Sequence, residues 1–423
     1  MKASLYPKSN LKILSKRFRK IRIENEYSLR GIARSENIAH TLISDIETGK
    51  VYPNVDTLKD LYKHVNIDLL VGEVELGILK RELDTYKSAV YFREDDMATV
   101  LLDKMREKHD VFMSSIFYID YILALVLHSV VIEKRYDNLL LDEIESYYED
   151  LSDELKKEFN LVKTSTLLYQ LNIKAAKRYV NRNLSLKGSV STAAMTYSLL
   201  ATISKRLFQS YNAIDYAKKA SDLHASQANL AEKLRADLLI CHVLIEVERF
   251  KDAQIILNNI SVSIEKNDTR TAFVDEYLHF LWSYYYFRKG DGDKALEFLI
   301  KDKSPTSLSE PAYYFFKAEI LVKLNRYDEA IATLEQGLKK RRSKEVSLFD
   351  KLNTLYLWDL KDAYDADNFE SLLLEVIDCP EKFIDLPVLN LTYRIGLNFY
   401  EYQGRCDAIT ALAKRFMNLP INK

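Results

Sequence analysis

The stretch NIAHTLISDIETGK, residues 37–50, gathers His40, Thr41, Ser44 and Asp45 into one turn-bounded segment. These side chains donate and accept hydrogen bonds, and on the outward face of a helix such groups can read the edges of DNA bases. Catalytic chemistry has no comparable constellation. There is no GxxxxGK(S/T) loop, GxSxG elbow or HExxH pair, and the seven histidines form no spaced cluster with acids. Paired acids such as Asp95 and Asp96, or Glu24 and Glu26, read as loop or solvated-face residues. Cys241, Cys379 and Cys406 are an odd number without CxxC or Cys/His ligand spacing, which argues against a disulfide framework and against a zinc site. The expectation is a protein that is not an enzyme, with no catalytic residue, metal or cofactor, kept in a reducing cytoplasm.

The elements that must carry those residues are helices. Glycine (10) and proline (7) are scarce in 423 residues, while 29% of the chain is charged and 48% hydrophobic, a balance that favours long helices and an all-α fold. The length exceeds one ordinary domain and suits two or three domains or a repeat array. The amino terminus, MKASLYPKSNLKILSKRF, lacks the apolar core of a signal peptide, and the longest apolar run, YILALVLHSVVI, is too short to span a bilayer, so no membrane partner is expected.

In the first 72 residues apolar positions recur at helical spacing, with breaks at Asn25-Glu26, Glu36-Asn37, Gly49 and Pro53. Five short helices are expected in about sixty residues. Ser28 can cap the second, over residues 29–35; a tight turn at residues 36–39 leads into a third that ends near Thr48, with Gly49 as its left-handed stop. That is a helix-turn-helix layout. The same 72 residues hold 13 basic and 8 acidic side chains, a surplus of five, which leaves the other 351 residues at −6 in a chain of net charge −1. The basic excess sits where nucleic acid would bind.

Ser28, Ile32, Ala33, Ile38, Ile43, Ser44, Ile46, Glu47, Gly49 and Pro53 fall in the order of the Xre/Cro-type helix-turn-helix, which this stretch resembles over about 60 residues. Leu29 stands where that family often has glutamine, and Ala39 where a serine usually opens the third helix. The resemblance implies an internal pair between Arg22 and Glu47. It also implies a recognition helix entering the major groove by its N-terminal end, with His40, Thr41, Ser44 and Asp45 toward base edges. Arg17, Lys20, Lys50 and Tyr52 are the expected phosphate contacts, and Ser28 belongs to the same DNA-facing set.

Beyond the head, RYDEAIATLEQGL at 326–338 matches the loop and second helix of a tetratricopeptide repeat, with Ala330 as the small residue that lets two helices approach. Equivalent positions are Ala98, Leu139, Ala176, Ala213, Ala253, Ala295, Ser371 and Ala408, about nine repeats in all. Their steps are 41, 37, 37, 40, 42, 35, 41 and 37 residues. Stacked hairpins of this kind form a right-handed superhelix lined by their first helices, a groove suited to an extended peptide or a partner helix. Counting back from the small residues puts Arg235, His242, Tyr277, Tyr284, Asn353, Tyr356, Asn390 and Tyr393 toward the concave side as candidate peptide-binding residues. A side-chain amide such as that of Asn353 or Asn390 can both donate to and accept from a peptide backbone.

A helix-turn-helix at 1–72, a linker helix at 73–86 and repeats over 87–423 resemble the RRNPP group of peptide-pheromone regulators, most of all its NprR/PlcR branch. That resemblance implies a cytoplasmic homodimer that binds double-stranded operator DNA and is controlled by a short signalling peptide in the repeat groove, with repeats that also dimerise. The coupling would pass through residues 68–86, where Gly72 and Gly77 mark a hinge, unless Gly77 lies inside a continuous helix. Two alternatives stand beside it: a Rap-like protein that binds or dephosphorylates a response regulator, and a repeat scaffold with a vestigial head.

Overall fold

The apolar periodicity becomes helix nearly everywhere in the computed structural model, which describes residues 6–36, 38–267, 272–301, 310–340, 347–364, 366–378 and 386–418. Asn37 and Cys379 lie outside the described residues. The chain divides into two compact units, Met1–Thr196 and Tyr197–Lys423.

The first unit begins with four helices, α1 Lys8–Glu24, α2 Leu29–Glu36, α3 His40–Glu47 and α4 Val55–His64. The fifth of the expected short helices is instead the 19-residue α5, Glu73–Tyr91, which contains the whole 73–86 linker and continues past it. Gly77 sits inside that helix, and a Cβ there would meet nothing within 4 Å. Leu11, Leu14, Phe18, Ile43, Leu58 and Tyr62 form a head core that runs on without a break through Leu76, Leu83 and Tyr86 to Phe112 and Tyr121. Each such side chain gives about 1.5–3 kcal/mol on burial, so residues 68–86 are packed into a shared core and not left as a thin hinge.

After α5 come α6 Asp95–Glu107, the short α7 His109–Met113, α8 Tyr118–Val131, α9 Asn138–Ser146, a 3-10 turn at Tyr148–Asp150, α10 Asp153–Tyr169 and α11 Ile173–Arg182. The unit boundary falls within α12, Val190–Arg206. The second unit continues with α13 Ser210–Ser226, α14 Leu230–Glu246, α15 Phe250–Asn267, α16 Ala272–Lys289 and α17 Gly292–Lys301. It closes with α18 Glu310–Lys323, α19 Tyr327–Lys339, α20 Leu348–Leu360, α21 Ala366–Ile377, α22 Leu386–Tyr402 and α23 Cys406–Met417. The fold is all-α and built from tetratricopeptide-like hairpins.

A backbone signature marks every hairpin. Arg93, Lys134, Leu171, Phe208, Glu248, Gly290, Asn325, Asp362 and Gly404 each have positive φ and each stand between the two helices of a pair. Except at Lys134, where Arg135 N reaches Ser129 O, the following N–H returns to the carbonyl four residues before the left-handed position, as in Glu94 to Ala89, Asn172 to Leu167 and Arg326 to Leu321, the bond that closes a Schellman stop. Five residues after the left-handed position come Ala98, Ala176, Ala213, Ala253, Ala295 and Ala330, all fully buried. Leu139 has the same offset but is 82% exposed, so it separates no helices. The offset moves the eighth and ninth equivalents to Asp367 and Ile409, in place of the expected Ser371 and Ala408; Ser371 is exposed. In the seventh hairpin the close approach also needs Gly337, where a Cβ would stand 2.8 Å from the Tyr314 side chain.

Candidate functional site

The head is held in shape by one buried ion pair. Arg22, in the last turn of α1, donates from Nε to Glu47 Oε1 at 2.5 Å and from Nη2 to Oε2 at 2.9 Å, while its Nη1 donates to the Tyr27 carbonyl at 2.8 Å. Arg22 is 9% and Glu47 3% exposed. A fork-to-fork pair of this kind fixes angle as well as distance, and here it ties the end of α3 to the end of α1 and to the turn that opens α2. Ser28 Oγ accepts from Gly31 N at 3.0 Å and caps α2. Gly49, at φ +72, closes α3: its N–H reaches Ile46 O and that of Lys50 reaches Asp45 O, both at 2.9 Å. A Cβ on Gly49 would also lie 2.7 Å from Lys12 Cε. The entry to α3 is less well held, because Ala39 is its N-cap and offers no side-chain acceptor.

With Ile43, Ile46 and Glu47 turned inward, His40 and Thr41 are exposed and Ser44 and Asp45 are half-buried. Leu42, which sequence reasoning passed over, is also exposed on α3. Lys50 is exposed and 3.7 Å from Asp45, and the exposed Tyr52 ring has Lys8 Nζ 5.4 Å from its centre. This is a surface of hydrogen-bonding groups at the start of a helix with cations beside it.

Of the expected phosphate contacts on α1, Arg17 needs correction, while Lys20 stays exposed. Arg17 is 8% exposed: its guanidinium lies 3.8 Å over the Tyr118 ring and donates to the Met113 carbonyl. Lys20 pairs with Glu143 at 3.3 Å. Lys12, at 2.6 Å, and Lys16 both bind Asp150, whose side chain is 2% exposed. Burial alone would raise the Asp150 carboxyl, and the two ammonium groups overcome it and hold it below the ordinary carboxylate range. Asn10 Nδ2 donates to Ile116 O at 3.1 Å and Leu70 N to Ser114 O at 2.7 Å. One face of α1 is therefore spent on the first hairpins, a pairing across more than 90 residues that no local pattern announces.

In the second unit the candidate groove residues fall into three settings. His242, Tyr277 and Tyr284 come together: His242 Nδ1 is 2.5 Å from the Tyr277 hydroxyl, and Tyr277, Phe280 and Tyr284 stack along α16 with centroids 6.1 and 5.9 Å apart. Arg288 extends this row, its Nη1 3.3 Å from the Tyr284 hydroxyl. Arg235 lines a separate cavity of about 290 Å³ with Ser198, Thr202, Glu232 and Leu239. Asn353 is fully buried and donates from Nδ2 to Pro311 O at 2.9 Å, so it joins neighbouring hairpins. Its Oδ1 and the Tyr356 hydroxyl are buried without a hydrogen-bond partner among the described residues. Tyr393 packs its ring 4.9 Å from Phe416, and Asn390 is exposed.

A cavity that the sequence did not suggest lies in the first unit. About 270 Å³ in volume, it is lined by Lys87, Leu123, Leu127, Glu154, Glu158 and Met195, among others. Lys87 reaches Glu158 at 2.7 Å and Asp120 at 3.4 Å. Burial would lower the Lys87 ammonium, and the two carboxylates outweigh it and raise it. Among the described residues no helix is long and apolar enough to cross a membrane, and no group of three or more His, Cys, Asp or Glu could hold a metal ion.

Residues 266–337 match the family model for anaphase-promoting complex, cyclosome, subunit 3. No curated protein matches the chain in sequence. Among solved structures, a Rap protein complexed with competence and sporulation factor is similar at TM-score 0.67 and 15% identity, covering 81% of this chain and 97% of its own. The apo form of the quorum sensor NprR from B. thuringiensis gives TM-score 0.57 at 16% identity, covering 81% and 99%. NprR in complex with its cognate peptide NprX gives 0.60 at 14%, covering 82% and 100%. At such identities the likeness establishes a shared fold.

Proposed function

We propose that the protein is a peptide-responsive transcription regulator of the RRNPP kind, acting in the cytoplasm as a homodimer. The observation that carries this reading is the buried Arg22–Glu47 pair, which holds α3 so that His40 and Thr41 project from its first turn. Major-groove recognition needs that presentation. Supporting it, two of the solved chains of like fold are complexes, one with competence and sporulation factor and one with a cognate peptide. The peptide acts on DNA only through its preference between two arrangements of the repeats. Arg235, Tyr277 and Asn390 are the proposed contacts, since His242 and Tyr284 lie beneath the surface at 2% and 3% exposure and Asn353, Tyr356 and Tyr393 are buried packing residues. The test is operator selection from random duplexes with the full chain, followed by titration with short secreted peptides encoded beside its gene. The dimer should prefer paired half-sites about 34 Å apart, or a multiple, over a single half-site. Equal affinity for one half-site and for two removes the dimeric reading.

A second reading, binding of a response regulator, draws on the burial of Arg17, which takes one expected cation away from any phosphate contact. Pull-down of response regulators by a chain lacking DNA affinity separates the two.

A further inference from the structure

Between Phe159 and Thr196 the chain carries Lys163, Lys174, Lys177, Arg178, Arg182 and Lys187 and not one Asp or Glu. In a chain of net charge −1 this is a concentrated basic block. The fold turns its centre into a stripe: Lys174, Arg178 and Arg182 follow one another at four-residue steps along α11, all three exposed, while Ile173, Ala176 and Val180 face inward. At 1.5 Å per residue the stripe is about 12 Å long, and exposed Lys187 follows it. None of Lys174, Arg178, Arg182 and Lys187 has an ion pair among the described residues. Nearby acids are otherwise engaged or single: Glu145 is held by Tyr179 and by Lys163 at 3.0 Å, Asp153 accepts from Lys187 N, and Glu149 is exposed on the 3-10 turn.

The stripe joins the head through a short run of contacts. Arg182 lies 4.5 Å over Tyr179 and 5.6 Å from the Tyr148 ring, which Lys156 also covers at 5.6 Å. Tyr148 belongs to the same 3-10 turn as Asp150, which binds Lys12, and the Lys12 stem lies beside Gly49 at the start of the Lys50–Tyr52 loop. Cations thus continue from the loop that follows α3 to the outer face of α11, within one compact unit.

We propose that the α11 stripe is a second phosphate-binding surface, holding the DNA backbone that flanks a half-site read by α3. Double-stranded DNA carries about one charge per 1.7 Å of axis, so a 12 Å row of cations meets several phosphates, and contacts of this class add affinity without sequence preference. The inference rests on the DNA-binding reading above, and the experiment keeps the two apart. The full-length triple variant Lys174→Gln/Arg178→Gln/Lys187→Gln is titrated against two duplexes, one ending at the operator edges and one extended by about one helical turn on each side. At about 0.9 in salt slope per contact, three lost contacts lower the slope by about 2.7. On the extended duplex the parent therefore loses about 40-fold more affinity than the variant between about 50 and 200 mM salt. On the short duplex the two proteins should agree, and Lys50→Ala should lower the slope on both. Parent-like slopes for the triple variant on the extended duplex overturn the inference and leave the stripe to an acidic protein partner. A parent that binds neither duplex rejects the DNA-binding reading itself, and the stripe's role falls with it.

Discussion

Replacing Glu47 with Ala leaves the Arg22 guanidinium buried, with the Tyr27 carbonyl as its remaining partner of the three bonds it makes. Breaking a buried pair from one side costs about 3–5 kcal/mol, since the surviving charge has lost its counter-charge but not its burial. Both side chains lie near the inner limit, at 11% and 3% exposure, so about 3 kcal/mol is a fair lower figure. The head shares one core with α5 to α8, and the loss should appear in the melting of the whole first unit. For a unit of that size 1 kcal/mol moves Tm by about 2–4 °C, which gives a fall of about 6–12 °C. Scanning calorimetry of the full chain reads it, with the second unit's transition as an internal reference. The double variant Arg22→Met/Glu47→Leu should recover most of the loss, because apolar groups of similar volume need no counter-charge. A Glu47→Ala transition coincident with the parent's would show that the pair is solvated and would remove the argument for a rigid α3.

Four further outcomes follow. Asp150 has its folded pKa below the unfolded value of about 3.9, so its contribution is present above that pH and disappears as acid titrates it through the lower folded value; Asp150→Asn should flatten the acid limb of first-unit stability measured by circular dichroism. Asn353→Ala should lower second-unit stability by about 1–3 kcal/mol, because the half-buried Pro311 carbonyl loses its donor and the fully buried Asn353 site is emptied, whereas exposed Asn390→Ala should leave urea unfolding unchanged and report on peptide affinity alone. His40→Ala or Thr41→Ala should shift sequence preference by about 1–3 kcal/mol if base contact is made, scored by selection on random duplexes. Gly49→Ala should destabilise the head by about 1 kcal/mol or more, from the left-handed backbone and the Lys12 contact together, checked by the same calorimetry.

Local chemistry was readable, and pairing at a distance was not. Ser28, Gly49 and the Arg22–Glu47 spacing act within a few dozen residues and sit where the sequence pattern puts them. Arg17 departs from its expected exposure because its partners, Tyr118 and Met113, lie about a hundred residues away and nothing near Arg17 signals them. Counting hairpins from small residues works where an alanine separates two helices and slips at Leu139 and Ser371, where none does. The left-handed turn is the steadier mark, yet seven of its nine residues are not glycine, so the sequence hides it. Among the candidate groove residues, Asn353 has a polar side chain of the right kind, but it is fully buried and its amide is spent on Pro311.

The Lys12–Asp150–Lys16 clasp, with Arg17 laid on Tyr118, has a mechanical consequence. A reading head on a loose tether can swivel to suit whatever spacing an operator offers. If residues 1–72 read DNA as proposed, this head is mounted like a bit in a chuck, so its aim is inherited from the hairpins that grip it. Two such chains would gauge their target as callipers do, and a spacer changed by half a helical turn would present the second site on the wrong side of the duplex, beyond the reach of a head that cannot rotate alone.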